Sequence, residues 1–156
     1  MPDKFSEKTR SKIMSSIRGK NTTPEMLIRK HLWSSGARYR IHDNSILGRP
    51  DIAFKGKKTA VFIDGCFWHA CKSCYKEPKT NRIFWRKKIT QNTNRRKKVK
   101  SALKKDGWTV LEFWEHEIRT DPNAITNIIK SKVNYIWIDD MAPGHLDTWC
   151  GKEFRS

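Results

Sequence analysis

Pro50-Asp51-Ile52-Ala53-Phe54-Lys55-Gly56-Lys57-Lys58-Thr59-Ala60-Val61-Phe62-Ile63-Asp64 is the stretch whose reading decides the fold. Two short apolar runs, Asp51 to Phe54 and Thr59 to Ile63, flank the basic connection Lys55-Gly56-Lys57-Lys58, which is the pattern of a β-hairpin. Hairpin pairing carries Asp51, at the start of one strand, and Asp64, at the end of the other, to the same end. Both strands are otherwise apolar, so an acid at either position needs a reason. The pair suits a hard cation such as Mg²⁺, which prefers oxygen ligands and keeps several waters. The alternative is that the two acids only cap turns.

Directly after the hairpin comes Asp64-Gly65-Cys66-Phe67-Trp68-His69-Ala70-Cys71-Lys72-Ser73-Cys74. The Cys-x-x-Cys spacing of Cys71 and Cys74 lets two thiolates reach one tetrahedral zinc, and Cys66 adds a third. His116, just beyond the next strand, is the candidate fourth ligand, since neutral imidazole binds zinc readily. Three free thiols in a small core are the bland alternative, although Lys72 and Ser73 between them do not look like core. His69, five residues past Asp64, suits proton transfer in phosphodiester hydrolysis, or it takes the place of one cysteine on the zinc. Phe67 and Trp68 are adjacent, so on an extended loop both cannot enter one core. Aromatics beside basic residues can stack on bases or wedge between base pairs.

Before the hairpin, Ser6 to Arg18 reads as a short helix. Thr23-Pro24-Glu25 supplies an N-cap, a first-turn proline and a first-turn acid for a second helix, which Gly36 closes. Glu25 is ambiguous, because the helix dipole alone favours an acid there. Alternation in Arg38-Tyr39-Arg40-Ile41-His42 predicts a strand, followed by a loop through Leu47-Gly48-Arg49-Pro50.

After the cysteines, Asn81 to Asp106 holds no Pro or Gly and places Trp85, Ile89, Val99 and Leu103 on one helical stripe ending at Gly107. Asn92 and Arg96 fall on the same stripe, where they either snorkel or point into a site. Thirteen Lys and Arg stand against two acids between Lys76 and Asp106, a charge that tracks a phosphate backbone or is simply a solvated face. Thr109 to Phe113 predicts a third strand, and Asp121-Pro122 opens a last helix with Ile125, Ile128, Ile129 and Val133. The expected class is α/β or α+β, a small mixed sheet flanked by helices.

The 156 residues suffice for one ordinary domain, and 37% hydrophobic residues can fill its core. A formal charge of +17, from 33 Lys and Arg against 16 acids, attracts a polyanion, and nucleic acid is the expected partner. A ribosome-like solubilising charge or an acidic membrane surface would also use it, but no basic amphipathic helix with an aromatic face supports the membrane. No opening apolar segment suggests export, so a cytoplasmic location is expected, where cysteines serve as metal ligands or free thiols.

Gly48-Arg49-Pro50-Asp51, Val61-Phe62-Ile63-Asp64-Gly65-Cys66-Phe67-Trp68-His69 and Trp114-Glu115-His116 together resemble the very-short-patch repair endonucleases, from about Thr9 to Arg119. That family nicks beside thymine in T:G mismatches left by deamination of 5-methylcytosine. The resemblance implies a restriction-endonuclease-like core. The expected division is residues 1–20 as a DNA-contacting arm, 21–138 as the endonuclease domain and 139–156, with its Pro, Gly and Asp residues, as a loosely ordered tail. It makes Asp51 the main Mg²⁺ ligand, with Asp64 beside it, His69 the general acid or base and Glu25 a holder of metal-associated water. Phe67, Trp68 and Trp85 become the wedge that opens DNA at the mismatch, with Lys88, Asn92 and Arg49 as further DNA contacts. Cys66, Cys71, Cys74 and His116 become a structural Zn²⁺ set. The expected partner is mismatched double-stranded DNA, with mismatch-repair proteins beyond it, for a bacterial, nucleoid-associated monomer.

Two departures from that family matter. Cys66 stands where restriction-like motifs place a lysine, so His69 must carry the proton chemistry. Arg96 follows Arg95 where family members often have an acid. The rival readings are a restriction-system nuclease cutting matched sites and a non-catalytic, zinc-stabilised DNA-binding module. The second leaves Asp51, Asp64 and His69 without a task.

Overall fold

The computed structural model describes residues 6–16 and 19–133. The predicted tail over 139–156, with Cys150, lies outside the described residues. The first helix, α1, runs Glu7–Ser16, and α2 runs Thr23–Ser34. Thr22 is extended at the α2 N-cap, Pro24 fills the first turn, and Ile28 and Leu32 are the buried stripe. Gly36, at φ 82°, then ends the helix. Its N–H bonds the Trp33 carbonyl and that of Ala37 bonds Leu32, which satisfies the last carbonyls.

The hairpin forms as the sequence predicts. Strand β1, Ile52–Phe54, pairs antiparallel with β2, Thr59–Asp64, in the register Ile52 to Val61 and Phe54 to Thr59. A single 3₁₀ turn, Lys55–Lys57, joins them, with Lys58 left-handed at φ 44°. Helix α3, Arg82–Lys105, carries the chain back so that β3, Thr109–Trp114, pairs parallel to β2. A parallel pair needs such a crossover. The sheet order is β1-β2-β3.

Two elements differ from the sequence reading. Arg38 to His42 is not a strand: a single bridge joins Arg40 to Ala53 through two 2.8 Å hydrogen bonds, and His42 at φ 46° then turns the chain away. A left-handed residue cannot continue an extended ladder. A short helix, α4 (Glu115–Thr120), also precedes α5 (Pro122–Val133), because the Glu117 carboxylate accepts the Trp114 N–H and starts a turn there.

Side chains alternate across the sheet, as the two-residue period requires. Ile52, Phe54 and Val61 pack with Ile28, Leu32, Ile118, Ile125 and Ile129 of α2, α4 and α5. Ala53, Ala60 and Phe62 face the other way, against Leu103 of α3. Parallel pairing sets Asp64 beside Trp114, so β2 and β3 end together, and antiparallel β1 begins at that end. Asp51, Asp64, the cysteine turn and His116 therefore gather at one end of the sheet.

Candidate functional site

Asp51 precedes β1, and its Oδ2 accepts the Ile63 N–H at 2.7 Å, which fixes the carboxylate across the hairpin. Glu25, buried in the first turn of α2, accepts hydrogen bonds from the Asn21 N–H, the Thr22 hydroxyl and the Arg29 guanidinium at 3.0, 2.9 and 2.8 Å. His42 lies between the two acids: its Nε2 is 3.4 Å from Glu25 Oε2 and its Nδ1 3.9 Å from Asp51 Oδ1. One donor atom from each of Glu25, His42 and Asp51 lies within 4.8 Å of the others. Burial, reinforced by the Glu25 carboxylate and opposed by the Ile63 N–H, pushes the Asp51 carboxyl up to about 6. Burial, with help from Arg29, pushes the His42 imidazole down, which favours its neutral, ligating form.

Asp64 does not join that cluster. Its Oδ1 accepts Nε of Arg96 at 3.0 Å and Nη2 of the same guanidinium, which lies over the Phe62 ring, 4.1 Å from its centroid. The same Oδ1 is 3.6 Å from His69 Nε2. His69 Nδ1 is buried without a hydrogen-bond partner, and burial pushes the ring's pKa down against the pull of Asp64. Asp64, His69, Arg96, Lys97, Lys100 and Glu112 line a cavity of about 370 Å³ with Thr93, Phe113 and Trp114. Asn92, one helical turn before Arg96, donates to the Trp68 carbonyl at 3.2 Å. Both polar residues on the α3 stripe thus hold the Asp64 to Trp68 segment, where the sequence left snorkelling open.

The three cysteines and His116 meet as the spacing suggested. Their ligand atoms lie within 4.8 Å of one another, with His116 Nδ1 at 3.2 Å from Cys66 Sγ and 3.7 Å from Cys71 Sγ. The turn is closed by the Cys71 N–H on the Cys66 carbonyl and the Tyr75 N–H on the Cys71 carbonyl, both at 2.9 Å. Glu115, at the start of α4, accepts the Cys66 N–H at 3.0 Å, which ties the turn to the His116 helix. Burial pushes the Cys66 thiol up to about 12, whereas the Ser73 hydroxyl, bonded to Cys71, brings that thiol down to about 7. Three sulfurs and one imidazole nitrogen are a donor set for a tetrahedral metal. His69 is not among them.

Phe67 and Trp68 do not diverge on an extended loop. The chain from Cys66 to Ala70 is a run of turns, and both rings are half-buried against Trp85, at centroid distances of 5.2 and 5.9 Å. The turn folds the neighbouring rings back on each other, edge to face at 5.3 Å. Phe84, 60% exposed, extends the group outward from Trp85. Lys88 lies exposed on α3, and Arg49 is exposed with φ 50°. The sequence reading missed His42. Its only signal was a ligand-type residue closing a supposed strand, and the alternation of Arg38 to His42 concealed it.

Comparison with known proteins adds an independent line. The family model described as DNA mismatch endonuclease Vsr matches residues 2–76. The chain is 40% identical over 134 residues to the Type II nicking enzyme V.HpaIIP of Haemophilus parainfluenzae, covering 84% of this chain and 95% of that one. It is 45% identical over 121 residues to the Type II nicking enzyme V.NmeAIP of Neisseria meningitidis serogroup A, covering 76% and 86%. With the DNA mismatch endonuclease Vsr of Escherichia coli K12 it shares 37% identity over 150 residues, 95% of this chain and 96% of that one.

Proposed function

The chain belongs to the DNA mismatch endonuclease Vsr family, and from that premise we propose that it nicks one strand of duplex DNA at T:G mismatches left by deamination of 5-methylcytosine. The observation that carries this reading is the convergence of Asp51, Glu25 and His42 at the sheet end where the Phe67, Trp68 and Trp85 cluster begins. A hydrolytic centre beside a group of aromatic faces suits an enzyme that must open a base step before cutting. A mismatched step costs less to unstack, so selectivity follows without reading every base.

Mg²⁺ fits the first cluster by donor chemistry, because Asp51, held up at about 6 by burial and by Glu25, is relieved by a divalent cation. Asp51 and His42 would hold it, with Glu25 ordering the surrounding water. Bound there, Mg²⁺ would supply positive charge to the phosphoryl oxygens and acidify water. Hydrolysis adds water across one P–O bond: the hydroxyl joins phosphorus and the departing oxygen gains a proton. His69 is the group that carries that proton, kept neutral in its buried setting. Zn²⁺ is our assignment for Cys66, Cys71, Cys74 and His116, as a brace for the turn. The mixed sheet with its acids at one end supports a restriction-endonuclease-like core. Among the described residues no helix is long and apolar enough to cross a membrane, and we assign the chain to the bacterial cytoplasm and nucleoid as a monomer.

Cleavage of one T:G duplex beside its T:A control, with Mg²⁺ and with Mg²⁺ withheld, tests the reading. We expect a single nick in the mismatched duplex, dependent on Mg²⁺. Equal cutting of the T:A duplex would identify a matched-site nuclease instead.

A further inference from the structure

Asp64 is an acid that the hairpin carries to the catalytic end of the sheet, yet its charge is already taken. We propose that Arg96 is a positioning residue that withdraws Asp64 from the cation site and makes it the anchor of His69. This rests on the mismatch-endonuclease reading for its meaning in catalysis, but the geometry stands on its own.

Arg96 reaches Asp64 with two N–H groups on one oxygen, and both side chains are largely buried, at 19% and 9% exposure. The guanidinium itself lies over the fully buried Phe62 ring, a contact that favours a cation. That oxygen is also the one facing His69 Nε2. A carboxylate only accepts, and at 3.6 Å, just beyond a full hydrogen bond, it favours the hydrogen on the imidazole nitrogen turned toward it, leaving Nδ1 with its lone pair. Asp64 thereby sets the tautomer and direction of the His69 ring. Without Arg96 its charge would be drawn to any cation held by Asp51, and the ring would lose its anchor. Arg29 stands in the same relation to Glu25. Each arginine neutralises one acid, and of the three acids Glu25, Asp51 and Asp64, Asp51 is the one with no arginine bonded to it among the described residues.

The test uses the full chain with Arg96→Gln, Asp64→Asn and the double variant, each read four ways. Positioning predicts that both single variants slow single-turnover nicking by roughly 10- to 100-fold. The double variant then falls no further than the slower single, because one arm acts through the other. The Mg²⁺ concentration giving half-maximal rate in Asp64→Asn stays within about twofold of wild type, and duplex affinity and its salt slope are unchanged in Arg96→Gln. Ring ¹⁵N shifts of His69 report the Nε2–H tautomer in wild type and a mixture in all three variants. Should either single variant unfold, the double variant, which leaves no unpaired buried charge, carries the comparison.

A tenfold rise in the Mg²⁺ requirement of Asp64→Asn would make Asp64 a metal ligand and overturn the proposal. So would a salt slope in Arg96→Gln flattened by about one phosphate, which marks a DNA contact, or rate losses that multiply in the double variant. If the wild-type chain cuts neither duplex, the functional reading fails, and the ¹⁵N spectra still decide the positioning: an unchanged tautomer in Arg96→Gln refutes it.

Discussion

The Glu25, His42 and Asp51 cluster and the Cys66, Cys71, Cys74 and His116 cluster share one end of the sheet and are built in opposite ways. The first takes its oxygen and nitrogen donors from α2, the loop after it and the start of β1, so only the finished fold brings them together. The second takes three of its four donors from a single turn and one from α4. Their energetics differ as well. A buried acid, Glu25, and a half-buried one, Asp51, crowd each other at the first, and of the two only Glu25 has an arginine bonded to it, so the fold carries an unfavourable charge at Asp51 that a cation would relieve. At the second, the metal would join parts of the chain that have little core of their own, since Gly65 to Tyr75 buries only Cys66 and Cys71. One cluster is maintained at the expense of stability, while the other would supply it.

The contrast breaks first if the sulfur cluster carries no structural metal. We expect about one zinc per chain by metal analysis. We further expect Cys71→Ser to lose it and to lower Tm by more than ~10 °C, because a structural zinc contributes folding free energy directly. Withholding Mg²⁺ should move Tm far less. A zinc-free chain with wild-type stability would collapse the distinction.

Asp51 tests the other half. Asp51→Ala should reduce nicking by at least roughly a thousandfold while leaving T:G duplex affinity within a few fold, because it would remove the proposed metal ligand and no phosphate-binding cation. Asp51→Asn should abolish cleavage too, yet stabilise the metal-free protein. The folded-state value, about 6, lies above the ordinary 3.8, so the proton binds the folded chain more tightly than the unfolded one. The stabilising contribution of the protonated acid is therefore full below 3.8 and lost as the pH rises through about 6. The asparagine carries no such loss, so its advantage in urea unfolding should grow between pH 5 and 7.5, to about 1–3 kcal/mol. A gap that stays flat with pH would mean that Asp51 bears no unfavourable charge.

The same contrast explains what the sequence disclosed. The cysteine turn was legible because its ligands sit at fixed short spacings, and the hairpin because alternation and a basic turn are local signals. Asp51 and Asp64 were correctly placed at one end of the sheet, since pairing alone requires it. Their different fates were not legible. Whether an acid faces a cation site or an arginine depends on α3 lying across β2, and nothing between residues 51 and 64 encodes where Arg96 will land. His42 was hidden for a related reason: its left-handed backbone interrupts a run whose alternation reads as a strand. Glu25 could not be separated from an ordinary first-turn acid until α2 was seen packed beside β1.

The smallest effects concern the aromatic group, which belongs to neither donor set but joins the cysteine turn to the start of α3. Trp68 is half-buried, touching Phe67 and Trp85, and Asn92 bonds its backbone carbonyl rather than its ring. Trp68→Ala therefore keeps the tether and removes only the aromatic face. If that face stacks on an opened base step, the variant should lose ~1–3 kcal/mol of binding to T:G duplex and less to T:A, because only the mismatch admits it cheaply. Its salt slope should stay at the wild-type value, since Trp68 neutralises no phosphate. Lys88→Ala should do the reverse, weakening both duplexes alike and flattening the slope by about one phosphate. A purely structural Trp68 would instead lower Tm by roughly 5 °C or more and weaken both duplexes equally, as loss of packing does. Titrations on both duplexes at several salt concentrations, with a melting curve for each variant, separate these cases. Equal losses together with a lowered Tm would remove Trp68 from mismatch sensing and leave the aromatic group as packing for the cysteine turn.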